Sequence, residues 1–174
     1  MVEASEGKHT MKRFAAIAAA AAALGLAGSA HAAGDYVSIV QETAVNAPAD
    51  VAWNKVKSYC DIGKWLNPAA PLSCEITAGK DGEVGAVRKI AGRIEEVIVA
   101  KTATSYTYAD IDPKILYHGT IEVRPVTKTT SKFVYTLFFD QTSIPADRRE
   151  ANKTSRAAMF AKALGIMKAQ AEAK

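Results

Sequence analysis

The spacing of apolar residues predicts a long helix that begins near Pro145 and runs to the C-terminal end of the chain. Proline suits the first helical turn because its missing N–H would have no partner there, and Asp147 suits the positive end of the helix dipole. Apolar residues recur at spacings of three and four and therefore share one face, formed by Ala157, Phe160, Ala161, Leu164, Met167 and Ala171. Half of this face is alanine, so it either packs closely against large side chains of a sheet or leaves room for another molecule.

Alternating apolar and polar residues predict seven strands before that helix. The strands are expected at residues 35–43, 73–78, 84–91, 94–100, 105–111, 116–126 and 132–142. Between the first two strands, a short helix is predicted to start at Pro48 and to end near Cys60, with Trp53 and Val56 on the same face as Cys60. A further helical turn is expected around Trp65.

Connections of hairpin length between the last six strands predict an antiparallel sheet. A sheet of this kind, with its helices gathered on one face, is an α+β architecture. We expect a curved seven-stranded sheet that wraps around the long C-terminal helix, so that the alanine-rich face points into the curve.

The first 32 residues have the pattern of a signal peptide rather than of a folded element. A basic start at residues 11–13 precedes an apolar run over 14–27 and the small-x-small site 30–32. The apolar run is too short and too rich in alanine for a transmembrane helix, so we expect cleavage after Ala32, a periplasmic domain over 33–174 and no membrane span after cleavage. An uncleaved N-terminal anchor is the alternative. The polar segment 1–10 is unusual ahead of a leader, and a true start at Met11 would explain it.

Composition and charge narrow the function classes. The chain has 174 residues, of which 49% are hydrophobic and 23% charged, as in an ordinary globular domain. Its net charge of +4 is dispersed without a dense Lys/Arg block, so a nucleic-acid partner is not expected. In an oxidising compartment, Cys60 and Cys74 are candidates for one disulfide, and two separate thiols are the alternative.

Residue types that build catalytic or metal centres are scarce. Only His118 remains once the leader is removed, and one histidine cannot form a His-based metal site. No Ser/His/Asp set surrounds a nucleophile, and the glycine-containing turn 79–82 joins two strands instead of preceding a helix. We expect no metal, no cofactor and no assigned catalytic residue.

Several short motifs occur in the order and spacing of one known superfamily. They are Ala47-Pro48-Ala49 with Trp53, Trp65-Leu66-Asn67-Pro68, Cys74, Gly85-Ala86-Val87-Arg88, Glu95-Glu96-Val97, Tyr106-Thr107-Tyr108, and Tyr117 with Ile121-Glu122-Val123. Together they resemble the SRPBCC superfamily, the START/Bet v 1-like helix-grip proteins, over residues 36 to about 167. The bacterial polyketide cyclase-like branch and the abscisic-acid receptors of plants are similar in shape.

The resemblance implies a cavity between the sheet and the C-terminal helix that binds lipids, hormones or polyketides. Arg88 and Ile90 share one strand face by alternation, and the superfamily pattern places that face toward the cavity. An arginine there can hold a carboxylate or a phenolate. Glu96 corresponds to the superfamily's cavity glutamate, with Glu95 as its rival. Either could instead form a structural ion pair with Arg88.

The remaining cavity wall is expected from aromatic residues at period two and from the helix face. This predicted wall comprises Tyr108, Tyr117, Tyr135, Phe139, Phe160, Leu164 and Met167. Trp65 is expected either at the cavity entrance or in the core. His118 falls on the face opposite Tyr117 and should point away from the cavity.

Three functions are compatible with these patterns. The first is an exported protein that binds a small hydrophobic or amphipathic ligand. The second is an enzyme of the polyketide cyclase or aromatase kind, in which Arg88, Glu96 and a cavity tyrosine would supply acid, base and oxyanion-stabilising groups. The third is an accessory protein that docks on a periplasmic protein partner.

Overall fold

The structure is a computed structural model that describes residues 34–112 and 114–173. The predicted leader, its cleavage site and residue 33 lie outside the described residues, as do Pro113 and Lys174. Among the helices in the described part of the chain, none is long and apolar enough to cross a membrane.

Seven strands form one antiparallel sheet. They are β1 (Tyr36–Val45), β2 (Cys74–Ala78), β3 (Val87–Ile90), β4 (Ile94–Lys101), β5 (Ser105–Asp110), β6 (His118–Pro125) and β7 (Ser131–Asp140). Their spatial order is β1-β7-β6-β5-β4-β3-β2, so consecutive strands pair from β2 to β7 and the first strand closes the sheet beside the last. The sheet buries alternate residues along β5, β6 and most of β7, as the period-two pattern predicts.

The helices follow β1 and β7. They are α1 (Ala49–Val56) and α2 (Ile62–Leu66), separated by a 3₁₀ turn at Tyr59–Asp61, and α3 (Arg149–Glu172), preceded by a 3₁₀ turn at Ala146–Arg148. The predicted helix-grip architecture is confirmed. The prediction that the first helix continues to Cys60 is wrong, because α1 ends at Val56 and Cys60 lies in the 3₁₀ turn.

The buried stripe of α3 differs slightly from the predicted face. Phe160, Leu164, Met167 and Ala171 are buried, and Ala157 is half-buried. Ala161, in contrast, is exposed. It lies about 100° around the helix from Phe160, on the flank that faces solvent. Ala163 on the opposite flank is fully buried and was not predicted.

The C-terminal half of α3 is fastened by hydrogen bonds to the start of the domain. Trp65 Nε1 donates to Gln170 Oε1 at 2.9 Å, and Gln170 Nε2 donates to the carbonyl of Lys55 at 2.6 Å. Lys168 Nζ donates to the carbonyl of Ala44 at 2.9 Å. Trp65 is fully buried, so of its two predicted positions the structure selects the core, and the entrance position is wrong.

Candidate functional site

A cavity of about 240 Å³ lies between the sheet and the N-terminal half of α3. Its walls are mostly aliphatic and aromatic, with four charged side chains. The lining residues are Ile62, Leu66, Leu72, Arg88, Ile90, Ile94, Glu96, Tyr108, Asp110, Ile115, Tyr117, Arg156, Met159 and Phe160. An apolar space with a few polar groups is typical of small-molecule sites.

The cavity meets the surface at the connections β3–β4 and β5–β6. A surface groove along these connections shares Ile94, Asp110 and Ile115 with the cavity wall. Across from them on α3, Met159 also lines the cavity and is 39% exposed. A ligand can therefore reach the cavity through this mouth without the sheet opening.

Six of the predicted cavity residues line this space: Arg88, Ile90, Glu96, Tyr108, Tyr117 and Phe160. The other predicted wall residues, Tyr135, Phe139, Leu164 and Met167, are buried but do not line it. Tyr135 lies behind the wall, since its hydroxyl is 2.6 Å from that of Tyr108. Leu164 and Met167 belong to the closely packed half of α3. The buried interior is therefore larger than the cavity. Residues of the cavity wall and of the solid core share the same pattern of inward-facing positions, so the pattern does not distinguish them.

Arg88 and Glu96 form a buried ion pair in the cavity wall. They are partners across β3 and β4, and Glu96 Oε2 accepts from Arg88 Nε at 2.8 Å and lies 2.6 Å from Nη2. Arg88 Nη1 donates to the carbonyl of Tyr59. Glu95 points to the other face, where it pairs with Lys89 at 3.0 Å, so the glutamate beside the cavity is Glu96.

Two tyrosine rings lie close to the Arg88 guanidinium. Its Cζ lies 3.9 Å from the centroid of the Tyr59 ring and 4.6 Å from that of Tyr108. Cation–π contact of this kind suits the weakly hydrated guanidinium. With Glu96, a backbone carbonyl and two rings around it, Arg88 is committed to the structure. A ligand anion would have to displace an existing contact to pair with it.

Burial shifts the ionisation of the groups around the cavity. It raises the pKa of Glu96 above its usual value, an effect that Arg88 opposes. It also raises the pKa of Tyr117 to about 12 and the pKa of Tyr108 well above its usual value. At neutral pH these tyrosines are protonated, so the Tyr117 hydroxyl is a neutral hydrogen-bonding group in the wall.

The family model described as polyketide cyclase / dehydrase and lipid transport matches residues 36–172. This chain belongs to that family. The resemblance predicted from the short motifs is therefore confirmed over nearly the whole domain.

Solved structures share the fold of this polyketide cyclase family member. The Zhui aromatase/cyclase from Streptomyces sp. R1128 superimposes with a TM-score of 0.63 at 16% identity, covering 79% of this chain and 94% of that one. Norcoclaurine synthase from Thalictrum flavum, solved with dopamine and hydroxybenzaldehyde, superimposes with a TM-score of 0.57 at 21% identity, covering 81% and 91%. At such identities the likeness concerns the fold alone.

One curated protein also matches in sequence. Tenascin from Gallus gallus is 28% identical over 97 residues, which are 55% of this chain and 5% of tenascin. Because the chain spans such a small part of tenascin, the match carries no statement about function here.

The segment between β1 and β2 contributes Ile62, Leu66 and Leu72 to the rest of the cavity wall. Ile62 and Leu66 lie one turn apart on α2, which is too short for a clear helical period, and Leu72 lies in irregular backbone after it. Leu66 belongs to one of the family motifs, but its motif did not mark it as a cavity residue. That segment is closed by a disulfide between Cys60 and Cys74, whose Cα atoms are 5.4 Å apart. The predicted bridge is thus present, and it ties one wall of the cavity to the edge of the sheet.

Two further wall residues, Arg156 and Met159, lie on α3. A signal for Arg156 was available, because it precedes Phe160 by four residues and so lies on the same helix face. A charged residue on a face that is otherwise apolar often marks a group with a specific partner. The alanine-rich face extends into the C-terminal half of this helix, which is closely packed, whereas the cavity lies beside the N-terminal half.

Proposed function

We propose that this protein binds one small hydrophobic or amphipathic molecule in the cavity between β3–β5 and the N-terminal half of α3. The observation that carries this proposal is a largely apolar cavity in which the buried charges of Arg88 and Glu96 are already paired with each other. Such a wall gains from contact with apolar surface and does not require a ligand charge to complete Arg88 and Glu96.

The cavity volume limits the size of the ligand. A protein cavity of about 150 Å³ binds benzene, which has six non-hydrogen atoms, so a cavity of about 240 Å³ has room for a somewhat larger molecule. A ligand held wholly inside has on the order of ten non-hydrogen atoms. A longer molecule would have to extend through the mouth past Met159.

The decisive experiment uses the purified protein. We expect solvent extraction after denaturation, followed by mass spectrometry, to recover a small amphipathic molecule in stoichiometric amount. In parallel, naphthalene, whose size is close to the estimate above, should bind to the ligand-free protein and change its fluorescence. An empty protein that also fails to bind naphthalene would contradict the proposal.

A matched pair of variants locates the binding site. Met159→Trp places a larger side chain at the mouth, at a position exposed enough to accept it, and should abolish naphthalene binding while the protein stays folded. Ala161→Trp adds the same indole to an exposed position of α3 away from the cavity and should bind naphthalene like the parent protein. Equal binding by both variants would place the site elsewhere.

A second candidate is an enzyme of the cyclase or aromatase kind. The observation in its favour is that Glu96, a carboxyl group with a raised pKa, lies in a cavity together with the Tyr117 hydroxyl. Its pairing with Arg88 weakens this candidate, because a general base has to be free to take a proton. Conversion of an extracted ligand by the parent protein, lost in Glu96→Gln while binding persists, would favour the enzyme.

Export to the periplasm is part of the same proposal. It is supported by the leader-like sequence of residues 1–32 and by the disulfide, which suits an oxidising compartment. Expression of the full chain should give a periplasmic product that begins at residue 33, as mass measurement would show. A cytoplasmic product that retains residues 1–32 would contradict this part of the proposal.

A further inference from the structure

The two arginines of the cavity wall differ in their partners. Arg88 has an acidic partner, a carbonyl and two aromatic rings around its guanidinium. Arg156 donates its Nε to Asn152 Oδ1 at 2.9 Å, on its own helix. Within residues 34–112 and 114–173, no carboxylate lies within ion-pairing distance of Arg156. Its charge therefore remains available for a partner other than the described residues.

The position of Arg156 is fixed although its charge is unpaired. Its Cζ lies 4.8 Å from the centroid of the Phe139 ring and 5.6 Å from that of Tyr117. Together with the bond to Asn152, these rings hold the half-buried side chain beside the cavity, which it lines. A guanidinium that is already oriented loses little conformational entropy when it binds an anion.

The sheet wall of the cavity, opposite Arg156, carries a negative group that is unpaired within the described part of the chain. Asp110 lies at the end of β5, directly across the sheet from Glu96, and both line the cavity. Glu96 is neutralised by Arg88, whereas Asp110 has no basic partner among the described residues. The cavity thus has a positive group on its helix wall and a negative group on its sheet wall, with apolar side chains between them.

We propose that the ligand is a small monoanionic amphiphile whose carboxylate-like group pairs with Arg156 at α3, with its apolar body between Ile90, Ile115 and Phe160. This inference rests on the proposed function, because it names the chemical class of the ligand in that same cavity. A planar acid fits the forked guanidinium by two parallel hydrogen bonds. Asp110 repels a second acidic group, which excludes dianions from the sheet side.

Binding of three eight-carbon probes tests which sign of ligand charge the cavity prefers. Octanoate, octanamide and octylammonium share one apolar chain and carry negative, zero and positive charge at pH 7. Calorimetric titration of the ligand-free protein should give octanoate a dissociation constant about tenfold lower than octanamide, the size expected for a charge-assisted hydrogen bond. Octylammonium should bind no more tightly than octanamide, because Arg156 repels its ammonium group while Asp110 attracts it.

Variants assign the effect to one side chain. Arg156→Gln should bring the ratio of the octanoate and octanamide dissociation constants to about one. Lys162→Gln removes the same charge from an exposed position of α3 and should retain the full preference. Asp110→Asn should bind octanoate at least as tightly as the parent protein, because a repulsive charge is removed.

Failure of this inference is distinct from failure of the proposed function. If naphthalene binds and octanoate is no better than octanamide, the cavity binds ligands but Arg156 does not select anions, and the inference is overturned alone. A preference for octylammonium, or a preference for octanoate that survives Arg156→Gln, overturns it as well. If neither naphthalene nor any octyl probe binds, the proposed function and this inference are both overturned.

Discussion

The two halves of α3 perform different tasks in the same helix. The C-terminal half buries Ala163, Leu164 and Met167 and is hydrogen-bonded to the ends of β1 and α1, and to α2 through Trp65. The N-terminal half contributes Arg156, Met159 and Phe160 to the cavity wall. The comparison shows that the position of the neighbouring elements, and not the number of alanines, decides where a cavity forms along a helix. Alanine on a helix face can also allow close packing.

The interiors beside these two halves differ in chemistry as well. The packed half combines aliphatic side chains with the buried Trp65, whereas the cavity half contains a buried ion pair next to tyrosines. Five tyrosines are buried in this region, namely Tyr59, Tyr106, Tyr108, Tyr117 and Tyr135. Perturbations that act on charge should therefore damage the cavity half, and perturbations that remove volume should damage the packed half.

Alkaline pH should have the largest effect and should act through the cavity half. Burial raises the pKa of Tyr106 and of Tyr117 to about 12, and the pKa values of Tyr59, Tyr108 and Tyr135 also lie above the usual value. Because the folded pKa exceeds the unfolded value of about 10, these groups contribute stability that is complete below pH 10 and is lost as pH rises through 12. We expect cooperative unfolding in that window, with tyrosinate absorbance and loss of circular dichroism appearing together.

The reference for that titration is the chain in concentrated guanidinium chloride, in which all tyrosines should ionise near pH 10. Ionisation of most tyrosines near pH 10 in a protein that remains folded would contradict the expectation. It would mean that water reaches the tyrosine cluster and that the two interiors are less different than proposed.

Removing one charge of the buried pair should have the next largest effect. Glu96→Gln leaves Arg88 buried without its counter-charge, and we expect a loss of about 3–5 kcal/mol in the free energy of unfolding, measured with denaturant at pH 7. The double variant Arg88→Met with Glu96→Leu removes both charges and should recover most of that loss.

The neighbouring Glu95→Gln is the matched control, since Glu95 pairs with Lys89 on the outer face and should be nearly silent. Equal losses for Glu95→Gln and Glu96→Gln would show that burial of the pair does not decide its importance.

Truncation of apolar side chains should destabilise the packed half of α3 more than the cavity half, the reverse of the order expected for removal of charge. Leu164→Ala opens a hole in the packed half and should lower the free energy of unfolding by about 2–5 kcal/mol. Met159→Ala, at the mouth, should lower it by less than about 1 kcal/mol because the side chain is already partly in water. Denaturant midpoints of the two variants at equal m-value provide the measurement, and a Met159→Ala loss as large as that of Leu164→Ala would contradict the division.

Breaking the disulfide should lower the free energy of unfolding by about 3 kcal/mol for a closed loop of this length. Cys60→Ser with Cys74→Ser leaves the sheet and α3 intact but frees the segment that carries Ile62, Leu66 and Leu72. We therefore expect naphthalene binding to weaken more than the loss of stability alone predicts. Parent-like binding in the double variant would show that this wall is held by packing.

Sequence reasoning predicted the fold well and the cavity in part. Period two and turn residues located all seven strands, because one face of each strand is buried and the other meets solvent. Alternation together with the superfamily resemblance put Arg88, Tyr108 and Tyr117 on the inner face, whereas the choice between Glu95 and Glu96 stayed open. Alternation could not separate cavity from solid core, since Tyr135 and Leu164 satisfy the same pattern as Tyr117 and Phe160.

The segment between Cys60 and Cys74 was the least predictable part of the site. Ile62 and Leu66 lie on the short helix α2, which has too few residues for a clear hydrophobic period. Leu72 lies in irregular backbone, held by the disulfide and by the hydrogen bond from the Leu72 N–H to the Gly63 carbonyl at 3.1 Å. Arg156 was missed for a different reason, because apolar residues define the predicted helix face and a charged residue does not contribute to that pattern.

The pairing of β1 with β7 has a consequence for how the protein reaches its native state. The Asp35 N–H donates to Thr142 Oγ1 at 3.0 Å, across a separation of 107 residues. A chain that emerges from its N-terminal end cannot complete the sheet until nearly all of it is available, and such distant contacts slow folding. Until then, the inner face of β1, which carries Ile39 and Val45, lacks the partners that bury it.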